Sequence, residues 1–446
     1  MTRHPLSIAG AWLVTLSAFV FLFVLFLELV GFHTNPYLGI VFFLILPAFF
    51  IVGLLMIPAG VILERRRLAK GLQPHRLPKI DLNNPVQQRA VGIFIALSVV
   101  NVLIVSLAAY RGVEYMDSPR FCGQVCHTVM EPEFVANQTG PHARVACVDC
   151  HIGEGAASFV YYKLNGLRQL VHLVRDTYPR PVPSPVFNLR PARNTCEMCH
   201  WSEKYHGDKA VTIPSYGDDE KSSESPTQMT VHVGTGSTSP GAASGAHWHA
   251  NPTNRIEFVS TDEKRETIPY VRMTDRDGKV HEYRAGEVTD AQIAAGTRRQ
   301  MDCIDCHNRP THAFSASAER AVDAAIARGD IARTLPFVRK QAVEVLTTDY
   351  PDRNTGDRTI AERLRTFYAG AGGAGSNKAD VDHLVAAVQQ VYGRNVFPAM
   401  KVTWGSHANN LGHTDSPGCF RCHDDEHKSA DGRVISQDCE LCHAIQ

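Results

Sequence analysis

The chain has 446 residues, enough for two or three domains, and its 45 Lys and Arg balance 45 Asp and Glu. A formal net charge of zero argues against a nucleic-acid partner, whose phosphates call for a basic excess. The twelve cysteines form six close pairs with none left over, all of them after residue 120.

The first predicted elements are apolar. Ile8–Leu27, Tyr37–Leu63 (with Pro47 and Pro58 inside it) and Ala90–Tyr110 each read as a helix able to cross a hydrocarbon core of about 30 Å. None shows the polar face of a soluble helix. The loop 64–89 carries Arg65, Arg66, Arg67, Lys70, Arg76, Lys79 and Arg89, whereas the turn at 32–36 has no Lys or Arg. Positive charge stays inside, so the loop and the N-terminus are expected in the cytoplasm and the third helix exits outward. The first helix reads as an uncleaved anchor, because no small-residue cleavage site follows it. Residues 1–112 are thus expected to be a three-helix anchor in a lipid membrane.

Beyond it every second cysteine is followed by histidine. Five motifs are strict C-x-x-C-H: Cys147/Cys150/His151, Cys196/Cys199/His200, Cys303/Cys306/His307, Cys419/Cys422/His423 and Cys439/Cys442/His443. Cys122/Cys126/His127 has one more residue between its cysteines. This is the attachment signature of c-type haem: two thiols add to two vinyl groups, and the next residue supplies a nitrogen to the iron. Zinc sites do not demand histidine after every second cysteine, and a disulfide framework would not place it so regularly. Six covalently bound haem c groups are expected. Such haems are attached outside the cytoplasm, in agreement with the orientation read from the basic loop.

Between the motifs, 215–245 is rich in Gly, Ser, Thr and Pro and reads as a mobile loop. Ile256–Ser260, Tyr270–Thr274 and Lys279–Arg284 read as short strands, the last two flanking a turn at Asp275-Arg276-Asp277-Gly278. Ser315–Thr348 and Ile360–Tyr392 read as helical, broken by Pro336 and the glycines at 370–375. The expected fold is a membrane-anchored multihaem cytochrome c. Its haem-packed part is mostly helix and loop, with a small β insertion. The expected divisions are a tetrahaem domain over 113–313 containing a haem-free insertion at 201–302, a helical spacer over 314–394, and a dihaem module over 395–446.

The run Phe121-Cys-Gly-Gln-Val-Cys-His-Thr-Val-Met130, with Gly140-Pro-His-Ala-Arg-Val-Ala-Cys-Val-Asp-Cys-His151, resembles the NapC/NirT family of membrane quinol dehydrogenases, which includes NrfH-like subunits. Cys303-Ile-Asp-Cys-His-Asn-Arg-Pro-Thr-His312 resembles that family's fourth haem motif. Residues 395–446, around Trp404-Gly-Ser-His and Gly418-Cys-Phe-Arg-Cys-His-Asp, are similar to the C-termini of its larger members. The resemblance implies electron transfer from menaquinol along a haem chain to a periplasmic or membrane-bound redox protein. It places the protein in the bacterial inner membrane, with the haem part on the periplasmic side. Family members typically have one transmembrane helix, and here three are expected.

The resemblance also suggests residues. Met130 or His127 is implied as a ligand of the first iron, and His142 and His312 match distal-ligand positions. Lys163, twelve residues after His151, falls where a family lysine sits near the quinol. Val160, Leu164, Leu167, Val171 and Val174 recur around it at helical spacing, a stripe suited to a membrane surface. Quinol oxidation releases protons, so Glu28, Glu114 and Asp117, near the outer ends of the first and third spans, are candidate acceptors.

Further distal ligands are sought among the remaining histidines. His413 and His427 bracket the fifth motif, and His407 lies upstream of it. His247 and His249 stand two apart in Ala-His-Trp-His, in a stretch read as strand, and one of them, His249, is expected to face a haem. The C-terminal haem is the expected electron exit. Two other functions compete with a quinol-oxidising conduit: a carrier reduced by another membrane complex, and a catalytic multihaem reductase. The last is disfavoured because reductases of that kind often use a lysine as proximal ligand, and every motif here carries histidine.

Overall fold

The computed structural model describes residues 4–29, 46–70, 83–125, 127–152, 156–186, 191–201, 207–235, 244–373 and 375–445. The chain divides into two compact units, Met1–Val125 and Cys126–Gln446.

The first unit holds helices α1 (Pro5–Leu29), α2 (Leu46–Ala69) and α3 (Pro85–Met116). Small residues let α1 and α2 approach closely. A Cβ on Gly10 would meet the Gly53 carbonyl at 2.7 Å. The Ser7 hydroxyl donates to the Ile57 carbonyl at 3.0 Å. Such close packing, rather than apolar burial, holds helices together in lipid. Asn84 caps α3 by accepting from the Val86 amide at 3.0 Å, with Pro85 at the first helical position.

By length and composition α2 (from Ala48) and α3 can cross a membrane, and Pro5–Val20 of α1 is a shorter apolar helix. The second span was expected from Tyr37, and residues 37–45 lie outside the described residues. The observed helix α2 runs on through Arg65, Arg66 and Arg67 to Ala69. Leu, Arg and Ala are good helix formers, so these basic residues sit on a helix end and not in a loop. α3 likewise exceeds the expected Ala90–Tyr110 at both ends.

The second unit holds α4 (His127–Thr139), α5 (Ala156–Val174), α6 (Ala318–Ala327), α7 (Val338–Leu346), α8 (Arg353–Ala369) and α9 (Lys378–Asn395). Helices α6 to α9 close around Val322, Val338, Ile360, Leu364 and Val388, all fully buried. Ser317, Asp352 and Asn377 cap α6, α8 and α9, and the breaks fall near Pro336 and the glycines, as the sequence predicts. Gly356 lets α8 approach α9, because a Cβ there would meet the Tyr392 ring at 2.7 Å.

Among the described residues eight strands complete the second unit: β1 (Lys209–Ile213), β2 (Thr227–Val231), β3 (Arg255–Ser260), β4 (Tyr270–Thr274), β5 (Val280–Ala285), β6 (Thr297–Gln300), β7 (His427–Ser429) and β8 (His443–Ile445). They form antiparallel sheets ordered β1-β2-β8 and β6-β3-β4-β5-β7. The expected strands β3, β4 and β5 are present within a residue.

The stretch 215–245 is more ordered than its composition suggests. Tyr216 is buried against the helical core, the Phe337 amide donates to the Glu220 carbonyl at 2.9 Å, and β2 pairs on both edges. Residues 236–243 of it lie outside the described residues. The C-terminal segment does not stand apart from the insertion: β7 joins β5, and β8 joins β2.

Candidate haem centres

Each strict motif is one tight turn. The His200, His307 and His423 amides donate to the carbonyl of the first cysteine of their motif, at 2.7, 2.8 and 3.0 Å. That four-residue closure puts the first cysteine and the histidine on one face of the turn. Asp302 caps the turn of its motif, its carboxylate accepting from the Cys303 amide at 2.6 Å. In the longer first motif only the part up to Val125, ahead of Cys126, is described as a wider turn. Phe121–Val125 is π-helical, a geometry that takes up one extra residue.

Five motif histidines each face one other histidine. Ring centres are 6.3 Å apart for His151 and His312, 6.0 Å for His200 and His142, and 6.4 Å for His307 and His247. They are 5.9 Å apart for His423 and His249, and 6.0 Å for His443 and His413. Two imidazoles binding one iron from opposite sides, each through a nitrogen at about 2 Å, have ring centres roughly 6 Å apart. The residues therefore fit a haem iron at five positions.

Two further features fit the same group. Burial lowers the pKa of His151, His247, His249, His307 and His312, keeping them neutral with a lone pair available to a metal. Several rings are turned by their other nitrogen. Nδ1 of His142 meets the Pro310 carbonyl at 3.1 Å, that of His249 meets Ala246 at 3.0 Å, and that of His423 meets Ser436 at 2.8 Å. An Nδ1–H given to a carbonyl leaves Nε2 for iron.

The cysteines agree. Burial pushes the Cys303 and Cys422 thiols up to about 12 and the Cys306 thiol up to about 11. Such sites favour uncharged sulfur, as in a thioether, over the thiolate a zinc site needs. Cysteines of different motifs also act on one another. After burial, Cys199 is among the groups raising Cys150, and Cys196 among those raising Cys303. Cys419 is likewise among those raising Cys306 and Cys442. Hydrogen bonds tie some of these segments together: the Ala192 amide donates to the Asp302 carboxylate at 2.7 Å, and the Arg421 guanidinium donates to the Asp305 carbonyl at 2.6 Å.

His247 is the residue that sequence reasoning passed over. Ala246–Ala250 is a short 3-10 helix, not a strand, so residues two apart point about 120° from each other and reach different motifs. The insertion at 201–302 therefore supplies two of the paired histidines. His427 is not paired with a motif histidine. It is buried, with Nδ1 bonded to Asp424 at 2.8 Å and Nε2 to the Ile268 carbonyl at 2.7 Å, so neither nitrogen is left for iron. His407 packs against Phe314 with ring centres 5.6 Å apart, and burial takes its pKa down to about 4.

Met130, half-buried on α4, falls on the same helix face as position 127. The side chains of Cys126, His127, Lys163 and Glu28 lie outside the described residues. Lys163 lies on α5, which exposes Leu164, Leu167, Val171 and Val174. Asp117 ends α3 as its C-cap, and Glu114 pairs with Arg111 at 2.7 Å.

Residues 84–181 match the model of the NapC/NirT cytochrome c family, N-terminal region. The chain is 39% identical to the cytochrome c-type protein ImcH of Geobacter sulfurreducens, across 99% of this chain and 88% of that protein. No solved structure matches.

Proposed function

The chain belongs to the NapC/NirT cytochrome c family, and from that premise we propose that it is a six-haem conduit from membrane menaquinol to a periplasmic or membrane-bound redox protein. That it is a membrane-anchored multihaem c-type cytochrome follows from the family. The observation that carries the finer reading is the set of five histidine pairs, one for each motif from the second to the sixth.

Haem bound at these sites supplies a reversible one-electron iron couple, tuned by its axial ligands. The residues that would hold the irons are the pairs His151/His312, His200/His142, His307/His247, His423/His249 and His443/His413. His407 and His427 leave the ligand set. His127 and Met130 remain the ligand candidates of the first motif. The motif turns and Nδ1 hydrogen bonds hold the imidazoles in place, so little has to move when charge arrives.

The proposed placement is three helices in the bacterial inner membrane, with the haem part on the periplasmic side. Electrons enter near the first motif, with Lys163 at the quinol and Glu28 or Asp117 taking protons. They leave at the sixth, whose surroundings are open: Cys439 is exposed, and Leu441 and Ile445 are 52% and 66% exposed.

The test is anaerobic reduction of the oxidised protein by a menaquinol analogue, followed in the haem bands. Fast reduction that is slowed by Lys163→Ala supports the quinol reading. No reduction by quinol, with dithionite still reducing every haem, supports a carrier fed by another membrane complex.

A further inference from the structure

Glu133 stands where three parts of the second unit meet. It lies on α4, six residues beyond His127. Nδ1 of His312 is 2.9 Å from the Glu133 backbone carbonyl and 3.2 Å from Oε2 of its carboxylate. The Arg309 guanidinium lies 3.3 Å from both carboxylate oxygens. It also donates to the His312 carbonyl at 2.7 Å and to the Ser184 hydroxyl at 3.2 Å. The Arg309 and Glu133 side chains are 7% and 14% exposed, so water screens this charge pair poorly.

We propose that Glu133 and Arg309 are a matched pair of positioning residues that set the reduction potential of the haem held by His151 and His312, and of no other. The proposal rests on the ligand pairing above. A carboxylate against Nδ1–H makes the imidazole a stronger donor, which favours the more positive ferric iron and lowers the potential. Arg309 draws on the same carboxylate and opposes that effect.

The pairing singles out one haem. The other paired histidines whose Nδ1 partner is described, His142, His249 and His423, meet neutral backbone carbonyls. The backbone carbonyl of Glu133 also keeps the His312 ring oriented when the side chain changes. Glu133→Gln therefore alters charge and leaves the geometry in place.

The experiment is a spectroelectrochemical titration of the full-length protein, with low-spin EPR signals followed alongside. Glu133→Gln should move the reduction equilibrium of one haem about tenfold toward the reduced state, or about 59 mV for one electron. Arg309→Gln should move the same haem the opposite way, and Arg309→Lys, which keeps the charge, should move it less. Opposite signs at one haem are not what a merely structural role produces. Shifts of the same sign, shifts spread over several haems, or none would overturn the proposal. His312→Ala separates the two levels. If it fails to convert one haem to high spin, the ligand pairing itself is wrong. If it converts one while Glu133→Gln moves nothing, only this inference fails.

Discussion

His413→Ala gives the sharpest test of the ligand pairing. His413 is exposed, its ring lies 6.0 Å from that of His443, and it stacks on Phe420 with centres 4.2 Å apart. The substitution removes two things of different kinds. The lost stacking contributes about 0.5–1.5 kcal/mol, a few degrees of melting temperature in a unit of this size. On the proposed six-haem reading the lost ligand would leave one iron a coordination site short, so about one sixth of the total haem absorbance should change from low-spin to high-spin. Added imidazole should reverse that change.

His413→Phe separates the contributions, because it keeps a stacked ring and has no nitrogen. It should give the same spin change with a smaller loss of stability. The assay is the oxidised visible spectrum with magnetic circular dichroism, read beside a thermal melt. If both variants keep the unsubstituted protein's spectrum, His413 is packing and not a ligand, and a 6 Å ring separation no longer supports the other four pairs.

Three other outcomes are expected. Leu364→Ala, in the fully buried helical core, should cost about 2–5 kcal/mol in denaturant unfolding while the haem spectrum stays unchanged. His427→Phe should leave the haem spectrum unchanged but cost about 1–3 kcal/mol, because the Ile268 carbonyl and Asp424 lose their buried partner. His407 is neutral when folded, with a pKa near 4 against an ordinary 6.5. The unfolded chain takes up its proton first as pH falls, so this stability is complete above 6.5 and is lost between 6.5 and 4. His407→Phe should flatten the melting temperature across that window, and an unchanged acid slope would refute the assignment.

The structure also changes how the electron exit should be tested. Removing residues 395–446 would take away Phe397, Met400 and Val402, which are buried in the core, and strands β7 and β8, which complete two sheets. Loss of transfer would then report collapse as readily as a missing exit. Replacing Cys439 and Cys442 by alanine removes one attachment site and leaves that scaffold, and unimpaired transfer to a partner would refute the exit.

Local chemistry was readable from the chain alone. A thioether needs cysteine and the proximal bond needs the next histidine, so the attachment signature is a contiguous string, and the chain carries that pattern six times. The β4–β5 turn was legible for the same reason, since a turn acts over four residues, whereas the helix capped by Asp352 starts at Arg353, ahead of the expected Ile360. Distal ligation is different. His312 meets His151 across more than 160 residues, and His249 meets His423 across more than 170. No local pattern marks such a partner, and proximity along the chain misleads: His427 is four residues from His423 yet spends both ring nitrogens holding a loop. Which histidine faces which motif is fixed by how the sheets and the helical core fold over one another, and that only the tertiary structure decided.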